Sequence, residues 1–91
     1  MINIYNQESL NNFQTLQDAR KDLIGEIEAV IQYDNHAQSS QNSLAKQTWI
    51  NIRNEELVHV GELLVLLAYL DPEQQQYVEQ GVEEFSERMK K

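Results

Sequence analysis

The sequence predicts an all-α fold: an antiparallel two-helix hairpin followed by a short C-terminal helix. Three observations predict it. Two long runs each carry an apolar seam at alternating three- and four-residue steps, the spacing that holds one helix face against a partner. A short polar turn, Ser39-Ser40-Gln41-Asn42, joins the two runs. A stop-and-restart, Asp71-Pro72-Glu73, then separates the third helix from the second.

The 91 residues are expected to form a single domain, with helices over about 9–38, 43–70 and 72–88. Residues 1 to 7 read as an extended lead-in, with Ser9 as the first N-cap. The seam of the first helix is Leu16, Ala19, Leu23, Glu26, Val30, Tyr33 and Ala37, and a flanking stripe of Ile24, Ile27 and Ile31 widens it. The seam of the second is Trp49, Ile52, Glu56, His59, Leu63, Leu66 and Leu70. Asn42 or Ser43 is available to cap the second helix, and so short a connection makes the two helices antiparallel neighbours. In the third helix Asp71 is the N-cap, Pro72 the first helical residue and Glu73 lies near the positive helix end. Its apolar stripe is Val78, Val82, Phe85 and Met89, and its outer face carries Glu79, Glu83, Glu84 and Glu87.

Composition narrows the function. The net charge is −8, with only 7 Lys and Arg, which argues against nucleic acid as a partner. There are no cysteines, so neither a disulfide framework nor a thiolate metal site exists. No apolar run approaches the roughly 18 residues that span a bilayer. The first residues lack the basic and apolar regions of a signal peptide, and a cytoplasmic location is expected. A chain this short buries a limited core alone, and oligomerisation is a common remedy.

Each of the two long seams is interrupted at its middle by potential metal ligands. Glu56 and His59 form a Glu-x-x-His pair, and residues three apart share a helix face. Glu26 interrupts the other seam. With the turn near Ser40, Glu26 lies about 14 residues before it and Glu56 to His59 about 15 to 18 after it, so at about 1.5 Å per residue the three stand at similar heights. A carboxylate in an apolar interior costs several kcal/mol unless it is paired or ligates a metal. A bundle that binds two metals uses one Glu from each of two helices and a Glu-x-x-His from each of two others. This chain holds one of each, half a site. A two-fold dimer would supply the other half and complete a four-helix bundle with the wide apolar faces packed inside. Carboxylate and imidazole ligands suit Fe(II), Mn(II) or Zn(II).

These residues resemble the encapsulated ferritins, ferritin-like proteins housed in encapsulin nanocompartments. The resemblance runs from about Leu23 to Phe85. It rests on Gly25-Glu26-Ile27-Glu28-Ala29-Val30 with Tyr33, on Arg53 through Glu62, and on Asp71-Pro72-Glu73-Gln74. It implies a di-iron ferroxidase centre made by Glu26, Glu56 and His59 across a dimer interface, with five dimers in a decameric ring. It further implies oxidation of Fe(II) to Fe(III), with the mineral stored by a surrounding encapsulin shell. Two positions depart from the family pattern. Gly25 stands where some relatives have an acidic residue that, with the position of Glu28, forms an accessory metal site, and Gln32 replaces an aromatic residue. Glu28 is then a secondary candidate for metal approach. The sequence ends at Ser86-Glu87-Arg88-Met89-Lys90-Lys91 without a targeting tail. The expected explanations are a chain that continues, as in a fusion to the shell protein, a trimmed chain, or a member that is not encapsulated.

Plainer readings stand beside these. A lone Glu-x-x-His is usually a helix-surface hydrogen bond, and it is seam position together with Glu26 that favours a metal. Tyr33 reads as core with its hydroxyl reaching toward the site, and Trp49 as core or interface packing. Glu55 and Glu62 read as solvated, with Arg53 nearby for exposed pairing, and His36 as exposed near the turn. The alternatives to a ferroxidase are another ferritin-like di-metal oxidase or peroxidase, and a structural helical module without catalysis.

Overall fold

The computed structural model describes residues 7–90 and holds three helices in the expected order: α1 (Gln7–Ser39), α2 (Ser43–Leu70) and α3 (Pro72–Met89). The lead-in lies outside the described residues except for Gln7, which is already helical. Ser9 therefore sits inside the first turn of α1 and does not cap it. The other two helices start where their caps dictate. The Asn42 side chain accepts a hydrogen bond from the Ala45 N–H at 3.0 Å. Asp71 accepts one from the Gln74 N–H at 3.0 Å, and Pro72 opens α3. Each cap satisfies a backbone donor that a helix start leaves without a partner. Only Ser40, Gln41 and Asn42 link α1 to α2, which run side by side.

The seam of α1 packs as its spacing predicts. Leu16, Ala19 and Ala37 are buried, with Leu23, Glu26, Val30 and Tyr33 half-buried between them. On α2 the seam shifts by one residue near its end: Leu67 is buried, whereas Leu66 is turned out. The reason is rotational. At 3.6 residues per turn, a four-residue step from Leu63 regains the face that a three-residue step leaves. His36 is half-buried and not exposed as expected. Its ring packs with Trp49 at a centroid distance of 5.0 Å and meets Tyr33 edge-on at 6.2 Å, closing the turn end of the hairpin.

Two arginines cross between elements. Arg53 pairs with Asp34 of α1 at 3.0 Å, and not with Glu55 or Glu62 of its own helix. Arg20 donates twice to Gln74 Oε1, at 2.9 and 2.6 Å, and reaches Asp71 Oδ2 at 3.3 Å. It ties α1 to the joint between α2 and α3.

The molecule measures 54 × 43 × 15 Å. A helix with its side chains is about 10–12 Å across, so the third dimension holds a single layer of helices. The radius of gyration is 17.6 Å, against about 12 Å for a compact domain of this length. The surface of 7327 Å² exceeds by about 1,800 Å² that of a compact monomer of this mass. α3 leaves the hairpin after its first turns, and its stripe of Val78, Val82, Phe85 and Met89 is exposed. A single layer has two open faces and almost no interior, which is why large apolar residues of all three helices remain exposed.

Replacing Arg20 by Met should weaken the attachment of α3 by about 1 kcal/mol, since the contact is partly solvated. Hydrogen exchange at the first amides of α3 would then speed up about fivefold; unchanged exchange would mean that Arg20 does not anchor the joint. Asn42→Ala should cost about 1 kcal/mol in thermal or denaturant unfolding, the value of an N-cap.

Candidate metal centre

Three side chains converge midway along the hairpin. α1 contributes Glu26, and α2 contributes Glu56 and His59 from adjacent turns. His59 Nδ1 lies 3.3 Å from Glu26 Oε1 and 3.7 Å from Glu56 Oε2, and one ligand atom from each residue falls within 4.8 Å of the others. Among the described residues no other group of three or more His, Cys, Asp or Glu side chains comes together in this way.

The two carboxylates are largely withdrawn from solvent, with side-chain exposures of 23% for Glu26 and 20% for Glu56. His59 is 48% exposed, so it stands at the rim and not in a dry interior as its seam position suggested. The exposure follows from the helix angle: three residues at about 100° each bring His59 some 60° short of Glu56, onto the flank of α2.

One atom tests whether the group suits a cation. Glu26 Oε2 is buried and has no hydrogen-bond partner. A carboxylate oxygen shut away from water without a partner is costly, and a cation among the three ligands would satisfy it. The separations also fit, because neighbouring ligand atoms around one ion with bonds of about 2.1 Å stand about 3 Å apart. Two carboxylates and one imidazole would leave a divalent cation under-coordinated, and among the described residues no further His, Cys, Asp or Glu joins them.

The three residues open into a cleft of about 600 Å³. Its other walls are Lys21, Asp22, Gly25, Glu62 and Leu63. Asp22 is four residues before Glu26 and Glu62 three after His59, so each lies one turn from a ligand on the same flank. The sequence carried this signal in those spacings, but a charged residue next to a seam looks the same as any solvated one. Glu28 is exposed and stands outside the cleft, as does Tyr33, whose ring instead packs on His36.

The flanking isoleucines lie away from the cleft. Gly25 and Ile27 sit one residue to either side of Glu26, so the helix turns them to opposite flanks. Gly25 lines the ligand cleft. Ile27 therefore faces away from it, and Ile24 lines a second cleft with Leu64 and Ala68 on the other side of the hairpin. Ile24 and Ile27 thus lie on the side of the layer opposite the cleft of Glu26, Glu56 and His59.

Comparison with known proteins follows the same residues. No protein-family model matches the sequence. The crystal structure of the encapsulated ferritin domain from Pyrococcus furiosus superposes with a TM-score of 0.80 at 32% identity, covering 84% of this chain and 78% of that one. The chain belongs to the encapsulated ferritin family. A ferritin-like–encapsulin shell fusion protein of the same organism is 32% identical over 74 residues, or 81% of this chain. The match spans 21% of the length of that fusion protein. For this family member, no helix among the described residues is long and apolar enough to cross a membrane.

Zn(II), which is redox-inert, should stabilise the metal-free protein by about 2.7 kcal/mol at a hundredfold excess over its dissociation constant. Glu56→Ala should abolish that gain in a thermal-shift titration. Glu26→Leu should abolish it too, while stabilising the metal-free protein by about 1 to 2 kcal/mol. Equal Zn(II) shifts in all three proteins would exclude Glu26 and Glu56 as ligands.

Proposed function

We propose that two copies of this chain form a ferroxidase that oxidises Fe(II) to Fe(III) for iron storage and detoxification. The observation that carries the reading is the buried, unpartnered oxygen of Glu26 beside Glu56 and His59. A carboxylate held there without a cation is a cost to folding that a binding site explains. The family and the ferritin-like fold support iron as the ion.

Fe(II) is the substrate, held by Glu26, Glu56 and His59 of one chain and the same three residues of its partner. A two-fold axis at the open side of the cleft makes the ligand set whole and closes a four-helix bundle. Carboxylates favour the more highly charged Fe(III), so Glu26 and Glu56 make loss of an electron easier. His59 presents Nδ1 to the site and contributes a neutral nitrogen ligand, leaving Nε2 for a hydrogen-bond acceptor that orients the ring. Dioxygen or peroxide is the electron acceptor. Glu28, exposed on α1, is a secondary candidate for drawing cations inward, whereas Tyr33, about two turns from Glu26 with its ring against His36, has no direct part in holding the ion. The dimers assemble further into a decameric ring. In this reading the chain works in a cytoplasmic nanocompartment whose encapsulin shell takes up the ferric product; the name of the fusion relative, which joins a ferritin-like part to an encapsulin shell, supports the shell as partner. Residues 1–91 act as one half-bundle unit.

Fe(II) mixed with the protein in air should give ferric absorbance at least tenfold faster than in buffer. Glu56→Ala and His59→Ala should return the rate to that of buffer. Wild-type rates in these variants would defeat the reading. A structural module without catalysis predicts the contrary outcome in metal content: Glu26→Leu, Glu56→Leu and His59→Leu would leave it unchanged.

A further inference from the structure

α1 carries a glycine near its middle that packing does not require. Glycine weakens a helix interior relative to alanine. A Cβ added at Gly25 would meet nothing within 4 Å, so no neighbour demands its absence. The residue lines the ligand cleft beside Glu26. Lys21 lines the same cleft and stands four residues earlier, on the same helix face as Gly25. A lysine can pair with an acidic side chain one turn along its helix, and glycine offers none. Four carboxylates, those of Asp22, Glu26, Glu56 and Glu62, share the cleft with Lys21. Its ammonium nevertheless makes no ion pair or hydrogen bond among the described residues, and it is the imidazole of His59 that meets Glu26 and Glu56. Arg20 and Arg53, by contrast, are held by Asp71 and Asp34.

We propose that Lys21 and the open space at Gly25 bind a small tetrahedral oxyanion of the phosphate class, which bridges the Lys21 ammonium and the cation held by Glu26, Glu56 and His59. The inference rests on the metal centre proposed above. Three features point to it. The first is reach. Lys21 is five residues from Glu26, about 7.5 Å along the helix, and no side chain at position 25 stands in the way. A lysine side chain and one such ion span that gap. The second is coordination. Two carboxylates and one imidazole would leave positions on a divalent cation open, and an oxyanion supplies oxygen ligands to them. The third is the donor. An ammonium is a compact charge with three N–H donors, suited to the oxygens of a phosphate.

Charge sets the order of binding. Four carboxylates outnumber one ammonium in the cleft, so an anion is repelled until a cation has bound. A divalent cation offsets Glu26 and Glu56, and Lys21 then faces only Asp22 and Glu62. Oxidation to Fe(III) adds a further positive charge, so the product holds the anion more tightly than the substrate does. By reciprocity the anion favours Fe(III) over Fe(II). Its role is to draw the oxidation forward and to fill ligand positions on the ferric ion.

The experiment is calorimetric titration of inorganic phosphate into the full chain, both metal-free and loaded with Zn(II). Lys21→Gln, Lys21→Arg and Gly25→Gln are measured beside the wild type. Glutamine is a better helix former than glycine, so Gly25→Gln keeps α1 intact. The Zn(II)-loaded wild type should bind phosphate, and the metal-free protein should not. Lys21→Gln should weaken phosphate binding about tenfold with zinc per chain unchanged, and Lys21→Arg should stay within about threefold of the wild type, as a charge-assisted contact requires. Gly25→Gln should weaken phosphate to a similar degree by filling the space, again with zinc unchanged. Wild-type affinity in Lys21→Gln or in Gly25→Gln overturns the inference, and so does equal phosphate binding with and without Zn(II). Zinc content separates the two readings. A wild type that binds no zinc defeats the metal centre and the oxyanion site together. One that binds zinc but no phosphate defeats the oxyanion site and leaves the metal centre standing.

Discussion

A carboxylate oxygen of Glu26 is shut away from water with nothing to bind it, and the rest of the molecule makes sense around that debt. The residue sits in the seam of α1 because three- and four-residue steps from Leu23 to Val30 pass through its position. Packing α1 on α2 then carries it inward whether or not it has a partner. Glu56 arrives at the same height from the other helix, so the hairpin concentrates negative charge where it has least water. His59 relieves this only in part, at contact distances of 3.3 and 3.7 Å. A cation with further ligands would satisfy the oxygen that His59 leaves without a partner.

The same conclusion comes from shape. A layer 15 Å thick has no room for a core between opposed faces. Four hydrophobic residues of the described chain are buried: Leu16, Ala19, Ala37 and Leu67. So small a core cannot outweigh the ordering of three helices by much. The branched side chains left on both sides of the layer are where further burial is available. In the proposed dimer, metal binding and assembly would be two aspects of one requirement, because the partner that brings ligands would also bring apolar surface.

Much of this was legible in the residues. Helix ends were readable where a cap residue meets a proline or a short polar turn, as at Asn42 and Asp71-Pro72, because capping chemistry is local. Ser9 misled for the complementary reason: a cap-competent residue is also tolerated inside a first turn. The ligand trio was readable because polar residues in an apolar seam are conspicuous and a hairpin preserves height. The pairings of Arg20 and Arg53 were not, since a long side chain on a helix surface has several partners within reach, and only the packed helices select one. His36 gave no sign of its place against Trp49 for the same reason.

By itself the sequence determined that three helices form, where two of them begin, and that Glu26, Glu56 and His59 stand level. All three follow from periodicity, capping and rise per residue, which depend on neighbours along the chain. Only the tertiary structure decided which flank each residue took. Whether Ile27 lies beside the ligands or behind them depends on how each helix is rotated about its own axis, and that rotation is set by packing α1 against α2. It turned Gly25 toward the cleft and Ile27 away from it, and so set the flanking isoleucines on the side of the layer opposite His59.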